Sequence, residues 1–191
     1  MHKDYKELYN EIFSGSGIPK HIRLFIVGEK KALYVNDGNA EGPSTAFGMM
    51  KSIRMDRGSV LHAFANFEFI TIEFMRFILI GFERNEKLIK IISRMNFNQR
   101  IDYLNSWTSI DNALSKKLKK LFKIRNALAH TIMDAEVIYN GKTLFAYKNF
   151  DDFKDEMQDV WNEFIEEYNK TMHTFDFSDL INEIKTYRTK P

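Results

Sequence analysis

SVLHAFANFEFITIEFMRFILIGF, residues 59–82, places apolar side chains around most of a helical circumference, with Phe64, Phe67, Phe69, Phe74, Phe77 and Phe82 supplying the bulk. The stretch is long enough to test as a membrane span. It carries His62, Asn66, Glu68, Glu73 and Arg76, however, and each of these is costly in hydrocarbon. It therefore reads as the buried central helix of a mainly α domain.

The rest of the chain supplies helices to cover it. Tyr5, Leu8, Tyr9 and Ile12 are spaced by three and four, which predicts a short docking helix over 1–13, ended by Ser14-Gly15-Ser16-Gly17. Residues 22–27 and 32–35 are β-prone runs separated by Gly28-Glu29-Lys30-Lys31, the pattern of a hairpin. A surface loop over 36–44 precedes a short helix over 46–54. Helical patterns follow over 87–95, 99–107 and 111–133. Residues 135–140 and 142–147, joined through Asn140-Gly141, carry the strongest short-range hairpin signal in the chain. Helices over 151–173 and 178–187 complete the set, with no internal repeat and no low-complexity segment.

With 191 residues, 44% apolar and 14% aromatic, the chain can bury a sizeable core as a single domain, 1–191. Its 28 Lys and Arg nearly balance 26 Asp and Glu, so a formal charge of +2 does not by itself point to a polyanionic partner; any nucleic-acid site must come from local clustering. The absence of cysteine excludes disulfides and thiolate chemistry and fits a reducing, cytoplasmic home. The first 13 residues lack the continuous apolar run of a secretory signal.

Local clustering is found in KKLKKLFKIRNALAH, residues 116–130, where six of the ten residues from Lys116 to Arg125 are basic. A Lys run of this kind is commonly a solvated helix face. Here it leads directly into Arg125, Asn126 and His130, so that Lys116, Lys117, Lys119, Lys120 and Lys123 would guide a phosphate backbone toward titratable chemistry. Asn126 and His130 are four apart and share a face, which lets the amide orient the imidazole. Arg125 sits about 140° around the helix from His130 and reaches the same site only through its long side chain. By geometry alone, His130 as a helix-end residue bonding a carbonyl remains an open reading.

RNALAH, preceded by LKKLFKI, resembles the signature helix of the HEPN superfamily, and the 59–82 helix and ISRMNFNQRIDYL resemble the helices that precede it, so that the likeness spans 59–133. The resemblance implies a HEPN-like antiparallel helical bundle, here with one or two small β-hairpins, and makes residues 1–57 a family-specific N-terminal elaboration. It implies a homodimer in which the Arg and His of both signature helices face each other. It also implies a metal-independent endoribonuclease without cofactor, a toxin or antiviral defence effector acting on RNA, with an antitoxin or regulatory protein as a further partner. Arg125 would then hold the scissile phosphate, His130 would transfer protons and Asn126 would be the polar residue after the Arg. The alternative within the family is a non-catalytic dimerisation or RNA-binding module, and outside it a structural helical protein.

Other residues carry weaker signals. Glu73 and Arg76, three apart, read as a structural ion pair, with Asn66 on the same stripe as Glu73. His62, among apolar neighbours, reads as a packed residue. His2, His21 and His173 have no metal-ligand spacing, and no paired carboxylates suggest a two-metal nuclease. Eight acidic residues between Asp151 and Glu167 face Lys154 alone, reading as a solvated outer face or as a surface for the lysine stripe of a second protomer. Phosphate-binding Gly-rich loops and nucleophile elbows are missing.

Overall fold

The computed structural model describes residues 3–13, 24–27, 31–34, 57–81, 85–131 and 136–188. These form α1 (Tyr5–Phe13), β1 (Leu24–Val27), β2 (Lys31–Tyr34), α2 (Arg57–Ile80), α3 (Glu86–Arg94), α4 (Phe97–Trp107), α5 (Asn112–His130), β3 (Ile138–Tyr139), β4 (Lys142–Thr143), α6 (Tyr147–Met172) and α7 (Ser178–Arg188). The chain is a mainly α helical bundle with two small antiparallel hairpins, β1 with β2 and β3 with β4. The expected loop over 36–44, the helix over 46–54, the Ser14–Gly17 stop and the turn at Gly28 lie outside the described residues, as do His2, His21 and Phe82.

Helix α2 is the centre, packed against α3, α4 and α5. Val60, Ala63, Phe64, Phe67, Ile70, Phe74 and Phe77 recur at helical spacing and are all buried. Its phenylalanines meet a second aromatic ladder on α6: Phe67 stands edge-on to Trp161 at 4.7 Å and Phe74 edge-on to Tyr168 at 4.9 Å between ring centres. The one buried ion pair predicted on this helix is present, with Arg76 Nε donating to Glu73 Oε2 at 3.0 Å and Arg76 Nη1 donating to the Gly81 carbonyl at 3.2 Å. Gly81, at φ 61°, takes the left-handed conformation that ends the helix. His62 is exposed, not packed. Among the described residues no helix is long and apolar enough to cross a membrane.

Polar caps define the helices on either side of the candidate site. Asn96 and Gln99 form a reciprocal capping box at the start of α4, and the Asp111 carboxylate accepts from Leu114 N at 2.7 Å at the start of α5. Helix α5 runs antiparallel to α4, since Phe122 stacks on Phe97 at 4.1 Å while Lys119 pairs with Asp102. It also runs antiparallel to α6, where Lys117 pairs with Glu163 and Lys120 with Glu156. The second hairpin turns through Asn140 (φ 48°) and Gly141 (φ 77°), as Asn-Gly predicts, and its strands are only two residues long. Asn149 of α6, buried, fastens this hairpin by donating to the carbonyls of Tyr139, Lys142 and Thr143. Helix α1 is part of the same core: Leu8 and Ile12 are fully buried, and Phe177 N donates to Lys3 O at 2.8 Å, joining α1 to the entry of α7.

Candidate active site

Helix α5 buries Leu118, Leu121, Ile124 and Leu128 and turns Lys116, Lys123, Asn126 and His130 to solvent. Lys116, Lys123 and His130 follow one another at steps of seven, two helical turns, and so lie along one exposed line. Arg125 belongs to neither set. It is half-buried, and its guanidinium points toward α2, where Nη2 lies 3.0 Å from Glu68 Oε1. Its Nη1 donates to Asn126 Oδ1 at 3.0 Å, and its central carbon lies 5.2 Å from the Phe122 ring centre.

The contact between Arg125 and Glu68 is one of charge without hydrogen-bond alignment. Glu68 Oε1 and Arg125 Nε are both shielded from solvent, and neither makes a hydrogen bond among the described residues. A second guanidinium is anchored one turn further along α2, at Thr71. Arg100 of α4 is buried, donating from Nε to Thr71 Oγ1 at 3.2 Å and from Nη1 to the Met95 carbonyl at 2.7 Å. Burial holds Arg100 below its ordinary pKa, while attraction to the Glu68 carboxylate acts in the opposite sense. Glu68 thus pairs with Arg125 and also attracts Arg100, so one carboxylate faces two cationic side chains.

Arg125 and Asn126 are brought together, but through each other: the Asn126 carbonyl oxygen is turned to the guanidinium, where the sequence suggested it would orient His130. His130 is exposed at the last residue of α5, five residues and about 7.5 Å along the axis from Arg125. A single chain thus presents the arginine and the histidine on different sides of one helix.

The five lysines divide. Lys117 donates to both oxygens of Glu163, at 2.6 and 2.9 Å, and this bond holds its ammonium above its ordinary pKa. Lys120 donates to both oxygens of Glu156, each at 2.9 Å, and Lys119 pairs with Asp102. Lys116 and Lys123 are exposed and make no ion pair among the described residues. The acidic helix thus meets the lysine stripe of its own chain. Glu68 and Arg100 were not singled out as site residues in the sequence. The available signal was that Glu68, unlike Glu73, has no basic residue three or four positions away in the most apolar helix, and so needs a cationic partner from another element.

No family model matches the chain, and no curated protein or solved structure matches it.

Proposed function

We propose that this chain is a metal-independent endoribonuclease of HEPN type, acting in the cytoplasm as a toxin or antiviral effector. The observation that supports this reading is the end of α5, where a half-buried Arg125 with an unspent Nε–H adjoins exposed Asn126 and His130. A guanidinium can hold a phosphodiester and offset charge developing on it, and an exposed imidazole can accept and donate protons. Arg125 and His130 diverge within one chain, so the reading requires a homodimer in which two copies of α5 surround one phosphate. A chain of this activity requires an antitoxin or regulatory protein in the cell that makes it.

The second reading is a non-catalytic dimerisation or RNA-binding module, and the commitment of Lys117, Lys119 and Lys120 to carboxylates of the same chain, which withholds them from a phosphate backbone, favours its dimerisation form. Wild-type and His130→Ala protein incubated with a mixed RNA pool, after removal of contaminating nucleases, separate the two. Cleavage by the wild type alone supports the enzyme. RNA retained uncut by both supports the module. Sedimentation showing only monomer at micromolar concentration, with full activity, overturns the shared site.

A further inference from the structure

We propose that Glu68 is a positioning residue that clamps Arg125 in an incompletely bonded resting place, from which a phosphodiester draws the guanidinium away. The proposal rests on reading Arg125 as the phosphate-binding group, and it concerns binding rather than cleavage.

Arg76 of α2 and Arg100 and Arg125 of the helices packed against it are held differently. Arg76 gives its Nε to Glu73 and its Nη1 to the Gly81 carbonyl. Arg100 gives its Nε to Thr71 and its Nη1 to the Met95 carbonyl. Both are anchored at the two ends of the guanidinium fork. Arg125 is held by the Asn126 amide and by a charge contact with Glu68, its Nε–H is unspent, and Glu68 Oε1 accepts no hydrogen bond. Such a pair is easily undone, because it forgoes the aligned N–H···O bonds that make arginine–carboxylate pairs strong. A phosphodiester offers two non-bridging oxygens in the spacing that a guanidinium edge matches, so it supplies what Glu68 leaves unmet.

Arg100 makes the release cheap. When Arg125 moves to a phosphate, Glu68 keeps the attraction of a buried guanidinium that is bonded to Thr71, one turn further along α2, and is fixed at both ends. The carboxylate is never left uncompensated, which is the condition that usually makes breaking such a pair costly. Glu68 therefore competes with the ligand for Arg125 and sets how readily the arginine is given up.

The test is titration with a deoxydinucleoside monophosphate, which carries one phosphodiester and no 2′-hydroxyl, followed by NMR on the arginine Nε–Hε signals. Wild type, Glu68→Gln, Glu68→Asp, Arg125→Gln and the Glu68→Gln/Arg125→Gln double variant are compared. Glu68→Gln should bind about five-fold more tightly than wild type, the scale of coupling between charged groups in contact, and the gain should vanish when Arg125 is replaced. Glu68→Asp, which keeps the charge beside Arg100 but withdraws it by one methylene, should show a smaller gain and reads the clamp even if Glu68→Gln folds poorly. No gain, an equal gain without Arg125, or no binding by any variant overturns the clamp. The expected pattern without RNA cleavage by the wild type keeps the clamp and removes the endoribonuclease reading. Cleavage without the Arg125-dependent gain does the reverse.

Discussion

Lys120 of α5 donates to both carboxylate oxygens of Glu156 on α6, each at 2.9 Å, while its ammonium lies 4.9 Å from the ring centre of Tyr139. The Tyr139 hydroxyl donates to the same carboxylate, and burial, followed by that bond, pushes its phenol well above the usual range. A lysine that looked like part of an RNA track thus helps join α5, α6 and the second hairpin.

RNA affinity should accordingly depend on two lysines and not five. For a single-stranded RNA, each lost phosphate contact lowers the slope of log K against log salt by about 0.7, so Lys116→Ala/Lys123→Ala should flatten it by about 1.4. Lys117→Ala/Lys120→Ala should leave the slope nearly unchanged and lower the melting temperature by a few degrees, since partly exposed ion pairs contribute about 0–1 kcal/mol each. Fluorescence anisotropy across a salt series checks the first statement and calorimetry the second. A larger loss of slope from the paired lysines would show that they release their carboxylates to RNA.

Arg125→Ala and His130→Ala should each reduce cleavage by about 10²- to 10⁴-fold, the range for loss of a positioned catalytic group. His130 is exposed and its loss should leave melting unchanged. Arg125→Ala should lower it slightly, because Glu68 keeps Arg100. Asn126→Ala should be milder in rate than either, acting through the freed Arg125 Nη1. Rates on one RNA, with melting curves for each variant, decide it: loss of activity in proportion to loss of folding would make these residues structural.

What the sequence disclosed follows from how far each cause reaches along the chain. The helices were legible because apolar spacing is local, and the caps at Asn96 and Asp111 mark two of their starts. Helix α6 begins at Tyr147, ahead of the expected 151, because its N-cap, Ala146, has no side-chain oxygen to announce it, whereas Asp151 resembles a start and lies inside. The short second hairpin is set by Asn149 gripping its carbonyls, a contact no turn motif encodes. At the candidate site, the sequence puts forward Arg125, Asn126 and His130 from their order in one helix. Glu68 was missed because what ties it to Arg125 is packing between two helices, and Arg100 because its anchor, Thr71, lies 29 residues away.

Acid should weaken the fold through Glu167. Burial acts to raise its pKa, but hydrogen bonds from Lys170, at 2.6 Å, and from the Ser109 hydroxyl outweigh this and leave the carboxyl below its ordinary value. A group depressed on folding contributes stability that is present above its unfolded value, about 4.3, and is lost as pH falls through the folded one. Glu167→Gln should therefore melt a few degrees below wild type at pH 7, with the gap closing toward pH 3. Melting curves across that range test it, and a gap that persists in acid would assign the effect to packing.

Cleavage should require the RNA 2′-hydroxyl and leave a 2′,3′-cyclic phosphate upstream and a 5′-hydroxyl downstream. Arg125 and His130 supply a fixed positive charge and a proton carrier, and neither is a nucleophile toward phosphorus in this reading. In this reading the attacking oxygen comes from the substrate, where the 2′-hydroxyl is tethered beside the phosphate and has the advantage of an intramolecular reaction over attack by water. His130, an exposed imidazole, can take that proton or give one to the departing 5′-oxygen, and Arg125 offsets charge on the phosphoryl oxygens. Two histidines, one from each copy of α5, would divide these roles. Matched RNA and 2′-deoxy substrates in excess EDTA, with end-group analysis, test this: RNA alone should be cut, with the stated termini. Equal cutting of the deoxy strand, or activity lost in EDTA and restored by Mg²⁺ or Mn²⁺, would overturn the mechanism even for a true nuclease.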